Sequence, residues 1–274
     1  MTVAAAPADL ETVDAALRRW QVPGAALQLH PGDVGWLHRL GAEVTTAALR
    51  LWRDGREPVA VGLLDGPVLR VAFAPGAERD ETLARQVAAA AAGPVEAPTT
   101  ALLHELLPAG GWAHGEAWTP LRRDLADAPP ASGLRTEVVD GASADVWTEV
   151  TAASFGTQPV PQRWPAMTAG PAFATARCLL GRDADGTPVA SVAVWSAGPG
   201  RPGLLEPMGV HPDHRGRGHG RAIVLAAAAA LRELGASSAD VCTPSANVGA
   251  VATYRAAGFV PLPERADLVP PSEG

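Results

Sequence analysis

The segment that decides the fold runs from Leu204 to Leu234 and reads LLEPMGVHPDHRGRGHGRAIVLAAAAALREL. Its apolar opening predicts a β-strand, and its Ala-rich end predicts a helix. Between them, Gly216, Gly218 and Gly220 alternate with other residues. Glycine lets a backbone approach a ligand closely, and free amides at a helix N-terminus attract phosphate oxygens. The segment therefore predicts a strand, loop and helix that bind a pyrophosphate.

The spacing of these glycines separates this loop from two other phosphate-binding loops. A GxxxxGK[ST] loop is absent, because the chain contains no Lys. A dinucleotide-binding loop needs GxGxxG and an acid near the end of the following strand. Here the spacing is GxGxG, and Asp240 stands where the next strand begins. An NAD(P)-dependent oxidoreductase is disfavoured, although it stays open as an alternative.

Two sequence patterns carry a family resemblance. Arg215, Gly218 and Gly220 fill the pattern [QR]-x-x-G-x-[GA], and a second run of residues follows downstream. That run consists of Asn247, Ala250, Tyr254 and Gly258-Phe259. Together the two motifs resemble the GNAT superfamily of acyltransferases. The resemblance implies an α+β fold (an α/β sandwich), in which helices flank a mixed, mainly antiparallel sheet.

The resemblance also implies that acetyl-CoA is the co-substrate and that no metal takes part. In the implied fold, the strand ending at Val210 diverges from the strand Ala239 to Thr243, and the pantetheine arm lies in the gap. Pro207 suits a break in a strand, because proline has no amide to donate. The expected cofactor-binding residues are Met208, Gly209, Val210, Arg215, Gly216, Arg217, Gly218, His219, Gly220, Arg221, Asn247 and Tyr254.

Two residues are expected to catalyse the transfer. Tyr254 matches the tyrosine with which the family protonates the departing CoA thiolate, unless it only packs beside Phe259. Glu206 is the first candidate for the base that deprotonates the amine, although ordered water serves as the alternative. Asn247 is expected to bind the pantetheine arm, to cap its own helix, or to do both.

The acceptor pocket is expected near residues 155–167. Phe155, Trp164 and Trp195 are its predicted substrate-binding residues, with packing in the core as the alternative for each. The resemblance favours transfer of an acetyl group to a primary amine of a small molecule or peptide, by direct attack in a ternary complex. The alternative is an inactive CoA-binding sensor or interaction module.

The first half of the chain shares a local pattern with the second. A DG turn enters an apolar strand at Asp54-Gly55 and again at Asp185-Gly186. The Pro- and Gly-containing stretch 124–133 predicts a boundary between a degenerate GNAT-like or accessory domain, residues 1–128, and a catalytic domain, residues 133–274. The first domain is expected to pack on the second and wall the acceptor site.

In the first half, the segment Pro75 to Thr82 stands in the position of the coenzyme loop. It lacks alternating glycines and carries three acids, so it is not expected to bind a pyrophosphate. The spacing of apolar residues also predicts one long helix over Val34 to Trp52.

Composition limits the remaining functions. The 29 acidic and 22 basic residues give a net charge of −7, which does not favour nucleic acid as a partner. Cys178 and Cys242 lie far apart and do not have the spacing of a zinc site. No stretch reaches the roughly 20 apolar residues of a membrane span, and no leader pattern is recognised. We expect a cytoplasmic protein without membrane partners; a homodimer stays open.

Overall fold

The computed structural model describes residues 3–6 and 8–271. These residues build one sheet of thirteen strands with helices on its faces. The strands are β1 Val3–Ala6, β2 Leu49–Asp54, β3 Glu57–Asp65, β4 Val68–Phe73, β5 Val95–Glu96, β6 Ala113–Asp124, β7 Arg135–Val138, β8 Ala176–Arg182, β9 Pro188–Ser196, β10 Pro202–Val210, β11 Ser238–Pro244, β12 Val260–Pro261 and β13 Arg265–Val269.

Nine α-helices connect these strands within the described residues. They are α1 Leu10–Trp20, α2 Pro31–Leu37, α3 Ala42–Ala48, α4 Glu81–Ala90, α5 Leu103–Ala109, α6 Ala144–Ser154, α7 Arg163–Thr168, α8 His219–Glu233 and α9 Val248–Ala256. Short 3-10 turns at His38–Leu40, Pro171–Thr175 and Pro212–His214 complete the connections.

The strand order is β1-β2-β3-β4-β5-β13-β6-β11-β10-β9-β8-β7, and β12 pairs with β6. In the described sheet, β4 with β5 and β10 with β11 are parallel, and the other neighbours are antiparallel. The expected α+β fold with a mixed, mainly antiparallel sheet is confirmed.

The two halves repeat one order of elements. In each, a hairpin turns at a glycine with positive φ, Gly55 or Gly186, and a third antiparallel strand follows. A helix then crosses to a strand that runs parallel to the third one: β4, α4 and β5 in the first half, and β10, α8 and β11 in the second. The chain is thus a tandem of two similar units.

The last strand of each unit comes from the other half of the sequence. Strand β6 precedes the predicted boundary, yet it pairs with β11 over Trp118–Asp124. Strand β13 lies near the end of the chain and pairs with β5 of the first half through Leu268 and Val95. Because β6 and β13 also pair with each other, both halves share one continuous sheet. The boundary between residues 128 and 133 remains a proposal.

Helix α8 covers the second half of the sheet. It is Ala-rich and longer than its neighbours, and its buried Ile223, Val224 and Leu231 join Val192 and Val194 of β9 in one core cluster. Small alanines let a helix approach a sheet closely. This packing fixes the start of α8 at the end of β10, where the glycine-rich loop lies.

The predicted helix over Val34 to Trp52 is wrong. The structure has α2, a 3-10 turn, α3 and then strand β2 in its place. Gly41 interrupts the helix with a φ of 99°, which lies in the left-handed region. Leu49 and Leu51 then alternate into the core as a strand, because β3 offers them a hydrogen-bonding partner.

The shared sheet predicts that the two halves unfold together. Leu268 is fully buried in the core of the first half, although its strand ends the described chain. Leu268→Ala should therefore lower the free energy of unfolding of the whole chain by about 2–5 kcal/mol. Urea titration followed by tryptophan fluorescence should show one transition at a lower midpoint.

Val260→Ala is the matched control, because Val260 is 64% exposed on the neighbouring β12. It should change stability by less than about 0.5 kcal/mol. Separate transitions for the two halves, or equal effects of the two substitutions, would contradict the shared core.

Candidate functional site

Strands β10 and β11 pair only at their beginnings. Their parallel ladder joins Pro202–Leu204 to Ser238–Asp240 and then ends. Beyond it, β10 shifts register against β9 between Leu205 and Met208, around Glu206 and Pro207. Such an irregularity bends a strand away from its neighbour. The two strands therefore part at the place where the sequence predicted a gap.

A cavity of about 670 Å³ lies along this gap. Its walls include residues 204–208 of β10 and residues 241–244 of β11. The first half contributes further side chains, among them Asp33, Trp36 and Arg70. The cavity is thus bounded by both halves of the chain, and concave sites of this size suit small ligands.

Trp195 does not line this cavity, which departs from the expectation of a substrate contact. Its ring is 1% exposed and packs so tightly on α2 that a side chain at Gly32 or Gly35 would overlap it. The indole Nε1 donates a hydrogen bond of 2.6 Å to the carbonyl of Glu206. Trp195 therefore positions the irregular part of β10 and belongs to the core.

A chain of buried charges connects Glu206 to the first half. The charge of Asp33, which lies in the first turn of α2 and has a side chain that is 2% exposed, acts on Glu206. Arg70 of β4 lies 2.8 Å from Asp33 and 2.8 Å from Glu96 of β5. Arg265 of β13 reaches the other oxygen of Glu96 at 2.7 Å. Residues from five separate segments thus form one network.

The network sets the protonation of its members. Burial and the negative charge of Asp33 together raise the pKa of Glu206 to about 8, although the positive charge of Arg70 opposes them. Burial would also raise the pKa of Glu96, but Arg70 and Arg265 hold it below its ordinary value. Glu206 is therefore the carboxyl group in this network that changes charge near neutral pH.

Tyr254 of α9 lines the same cavity. Its ring centroid lies 5.8 Å from that of Phe259, so the packing contact foreseen as its alternative role is present. Burial raises the pKa of Tyr254, and the charges of Glu206 and Cys242 add to this effect. The phenol therefore keeps its proton at neutral pH and is available as a donor.

Asn247 caps α9. Its side-chain oxygen accepts a hydrogen bond of 3.2 Å from the amide of Ala250, and the residue also lines the cavity. Capping is thus observed, and a role in holding a ligand stays a prediction. The cap matters for the site because it fixes the start of the helix that carries Tyr254.

The glycine-rich loop lies at the far end of β10. Gly216 and Gly218 have φ values of 76° and 84°, and a side chain added at either would meet nothing within 4 Å. Gly218 is the N-cap of α8 and provides no side-chain cap for its free amides. The helix start is therefore open to an anion from outside.

Close packing explains two further glycines. A side chain at Gly209 would lie 2.4 Å from the Cβ atom of Ser154, and one at Gly220 would crowd Thr253 at 3.1 Å. These glycines let β10 and α8 approach α6 and α9. Their neighbours Met208 and Val210 are half-buried against the core cluster under α8.

The basic residues of the loop differ in their contacts. Arg215 donates to the carbonyls of Val210 and Ser154 and so ties the loop to α6. Arg221 donates to the carbonyl of Ala256. Arg217 is exposed, and His219 is half-buried where α8 begins. Among the arginines of the loop in the described chain, Arg217 makes no hydrogen bond to a backbone carbonyl, so its donors are available to a ligand.

Aromatic side chains form the wall opposite the strands. Phe155 and Trp164 both line the cavity, as the sequence predicted. The ring of Trp164 lies 5.7 Å from that of Trp147, which in turn lies 6.5 Å from that of Trp36. Trp147, Trp36 and the charged residues of the first half lacked any local sequence signal, because only the folded sheet brings them to this cavity.

The corresponding region of the first half is closed. Asp80 caps α4 by accepting a hydrogen bond of 2.8 Å from the amide of Leu83, so a carboxylate already occupies the helix start. Beyond β4 and β5, the buried side chains of Ala97, Ala101 and Leu103 fill the core beside Phe73. The capped start of α4 thus differs from the uncapped start of α8.

The sheet and its flanking helices make this an α+β protein. The uncapped start of α8 beside the parting strands β10 and β11 is suited to an extended ligand that carries phosphate. Residues 145–259 match the model of the Acetyltransferase (GNAT) family. This segment of the second half is therefore similar to that acetyltransferase family.

Two similar proteins are acetyltransferases by name. A "Mycothiol acetyltransferase" of Clavibacter michiganensis subsp. michiganensis is 32% identical over 146 residues, which are 50% of this chain and 46% of the relative. One from Cellulomonas flavigena is 34% identical over 147 residues, 48% of this chain and 41% of the relative. The chain thus spans about half of the length of these relatives.

Solved structures match nearly the whole chain. A GCN5-related N-acetyltransferase from Sphaerobacter thermophilus covers 97% of this chain and 94% of its own, with a TM-score of 0.59 and 20% identity. A tandem GNAT protein from the clavulanic acid biosynthesis pathway covers 97% of both chains, with a TM-score of 0.54 and 17% identity. At these identities the likeness shows the fold alone, including its tandem arrangement.

Neither a metal-binding cluster nor a membrane-spanning helix occurs among the described residues. No group of three or more His, Cys, Asp or Glu side chains there is arranged to hold a metal ion. None of the helices in that part of the chain combines the length and apolar character needed to cross a bilayer.

The raised pKa of Glu206 predicts a pH-dependent stability. The folded protein keeps a proton that the unfolded chain releases near its ordinary pKa, so this stabilisation is complete at low pH and is lost as pH rises through about 8. Between pH 6 and pH 8.5, the free energy of unfolding should fall by ~2 kcal/mol more in the wild type than in Glu206→Gln.

Chemical denaturation of both proteins at the two pH values measures this difference, because the titration of all other groups is common to both. An equal fall in the two proteins would show that Glu206 titrates near its ordinary pKa.

Proposed function

We propose that the protein is an acetyl-CoA-dependent N-acetyltransferase that moves an acetyl group to a primary amine of a small molecule or a peptide. The observation that carries this proposal is the placement of Glu206 and Tyr254 along one cavity at the parting of β10 and β11. Glu206 is able to accept a proton near neutral pH, and Tyr254 keeps its proton there. Acetyl transfer to an amine needs both.

The features of the chain fit acetyl-CoA. The uncapped start of α8 suits the pyrophosphate, with Gly216, Gly218 and Gly220 giving it access and Arg217 adding charge. Backbone amides of Met208, Gly209 and Val210 are the proposed partners of the pantetheine arm, together with Asn247. When bound, acetyl-CoA supplies an activated acetyl group as a thioester.

The two side chains then divide the proton transfers. Glu206 accepts a proton from the amine, which frees the lone pair that forms the new amide bond. Tyr254 donates a proton to the sulfur as the carbon–sulfur bond breaks. The raised pKa of Glu206 suits its role, because a base works best when its pKa lies near the working pH.

The division of the chain follows from this proposal. Residues 133–274 carry the coenzyme loop and both catalytic candidates, and residues 1–128 form a degenerate unit that does not bind coenzyme. Its closed helix start at Asp80 supports this assignment. Phe155 and Trp164 are proposed to contact the acceptor. A cytoplasmic location stays a prediction.

Isothermal titration with acetyl-CoA tests the coenzyme site. The wild type should bind one acetyl-CoA per chain, and Gly218→Glu should weaken binding at least tenfold, because a carboxylate at the helix start repels phosphate. Gly76→Glu is the matched control, since Gly76 has a similar φ of 86° in the equivalent loop of the first half.

Gly76→Glu should strain the backbone as much and leave the affinity unchanged. Absence of binding by the wild type would remove the acetyltransferase proposal. Two bound molecules per chain would contradict the closed first half. Binding of acetyl-CoA without release of the CoA thiol for any amine would favour the alternative of an inactive CoA-binding sensor.

The pH profile of turnover tests the base. The carboxylate form of Glu206 is the active one, so kcat/KM should rise with pH and level off above about 8. Glu206→Gln should lower kcat by about 10²–10⁴ and remove this inflection. Glu57→Gln, at a side chain that is 75% exposed outside the cavity, should keep the wild-type profile. An unchanged profile in Glu206→Gln would assign the proton to water.

A further inference from the structure

Two arginines line the cavity without an acidic partner at ion-pair distance. Arg39 belongs to the 3-10 turn after α2, and Arg163 begins α7, which packs against that turn. Among the described residues, no carboxylate lies within ion-pair distance of either guanidinium. This is unusual in a cavity that also holds Asp33 and Glu206.

The guanidinium of Arg39 is held in place, but not all of its hydrogen-bond donors have a partner. It stacks 4.0 Å over the ring of Trp36, and Nη1 donates to the carbonyl of the same residue at 2.6 Å. Its Nε atom is buried and has no hydrogen-bond partner in the described structure. A buried donor without a partner costs roughly 1–3 kcal/mol unless a ligand satisfies it.

The two arginines also affect each other. Burial lowers the pKa of Arg39, and the positive charge of Arg163 lowers it further, while Asp65 and Glu206 oppose the shift from a greater distance than an ion pair. Two like charges held together in a partly dry cavity are stabilised by an anion between them. Guanidinium groups suit carboxylates because their donors form a matching fork.

We propose that Arg39 and Arg163 bind a carboxylate of the acceptor, so that the acceptor is an amine that also carries a carboxylate and an apolar group. This inference rests on the proposed function for the amine. The same cavity holds Glu206, the proposed base for the ammonium group, and the arginine pair, so one acceptor with both charges would meet a partner for each. The rings of Trp36, Trp147 and Trp164 line the space with apolar surface.

Amino acids and short peptides with apolar side chains both have this chemistry. A thiol-release assay with acetyl-CoA should therefore compare L-phenylalanine, the dipeptide Phe-Phe, L-phenylalaninamide and phenethylamine. The wild type should favour an acceptor with a free carboxylate by at least tenfold in kcat/KM over both acceptors that lack one. The preferred carboxylate acceptor distinguishes a free amino acid from a peptide.

Substitution separates binding from catalysis. Arg39→Met and Arg163→Met keep the apolar stems and remove the charges, so KM for the carboxylate acceptor should rise at least tenfold with little change in kcat. KM for L-phenylalaninamide should not change. Arg56→Met is the control, because Arg56 is exposed outside the cavity. Equal activity of the wild type on L-phenylalaninamide and on both carboxylate acceptors would overturn the proposal.

Direct binding keeps this test independent of turnover. N-acetyl-L-phenylalanine and its amide differ only in the carboxylate, and titration with each reports the arginine pair without coenzyme. Selective binding of the acid that is lost in Arg39→Met would support the anion site even if acetyl-CoA did not bind. No preference for the acid, or a preference for O-phosphoethanolamine over every carboxylate, would overturn it.

Discussion

The ladder between β10 and β11 ends after Leu204, and the site depends on this early end. Strand amides and carbonyls must be hydrogen-bonded, so two strands that part inside a protein leave backbone groups facing a space that only water or a ligand can satisfy. Pro207 removes one donor, and the indole of Trp195 satisfies the carbonyl of Glu206. These two features reduce the number of unpaired backbone groups in the gap between β10 and β11.

The charge network beneath the gap explains why both halves are needed. Burial is the largest cause of the raised pKa of Glu206, and the charges that act on it most are those of Asp33 and Arg70 in the first half. Burying several charges is costly unless they alternate in sign and share hydrogen bonds. Here Arg70 and Arg265 both pair with Glu96, and Arg70 also pairs with Asp33. The first half therefore contributes to the electrostatics of the cavity.

The exchange of β6 and β13 joins the two halves of the chain through backbone hydrogen bonds. An interface between two separate domains is able to open, whereas a continuous ladder of backbone hydrogen bonds is not easily broken. Arg265 reaches Glu96 because β13 lies beside β5, so the strand exchange also delivers one member of the charge network. Fold and electrostatics thus depend on the same pairing.

The sequence by itself determined the local features of this protein. The strand, glycine loop and helix from Leu204 to Leu234 follow from short-range spacing, and so do the cap at Asn247 and the placement of Tyr254 seven residues later. Tertiary structure decided the rest. It broke the predicted helix at Gly41, moved Trp195 into the core, and brought Asp33, Arg39 and Arg70 to the cavity. The physical reason is range: glycine spacing and capping act within one turn, whereas burial and charge depend on which distant strands pair.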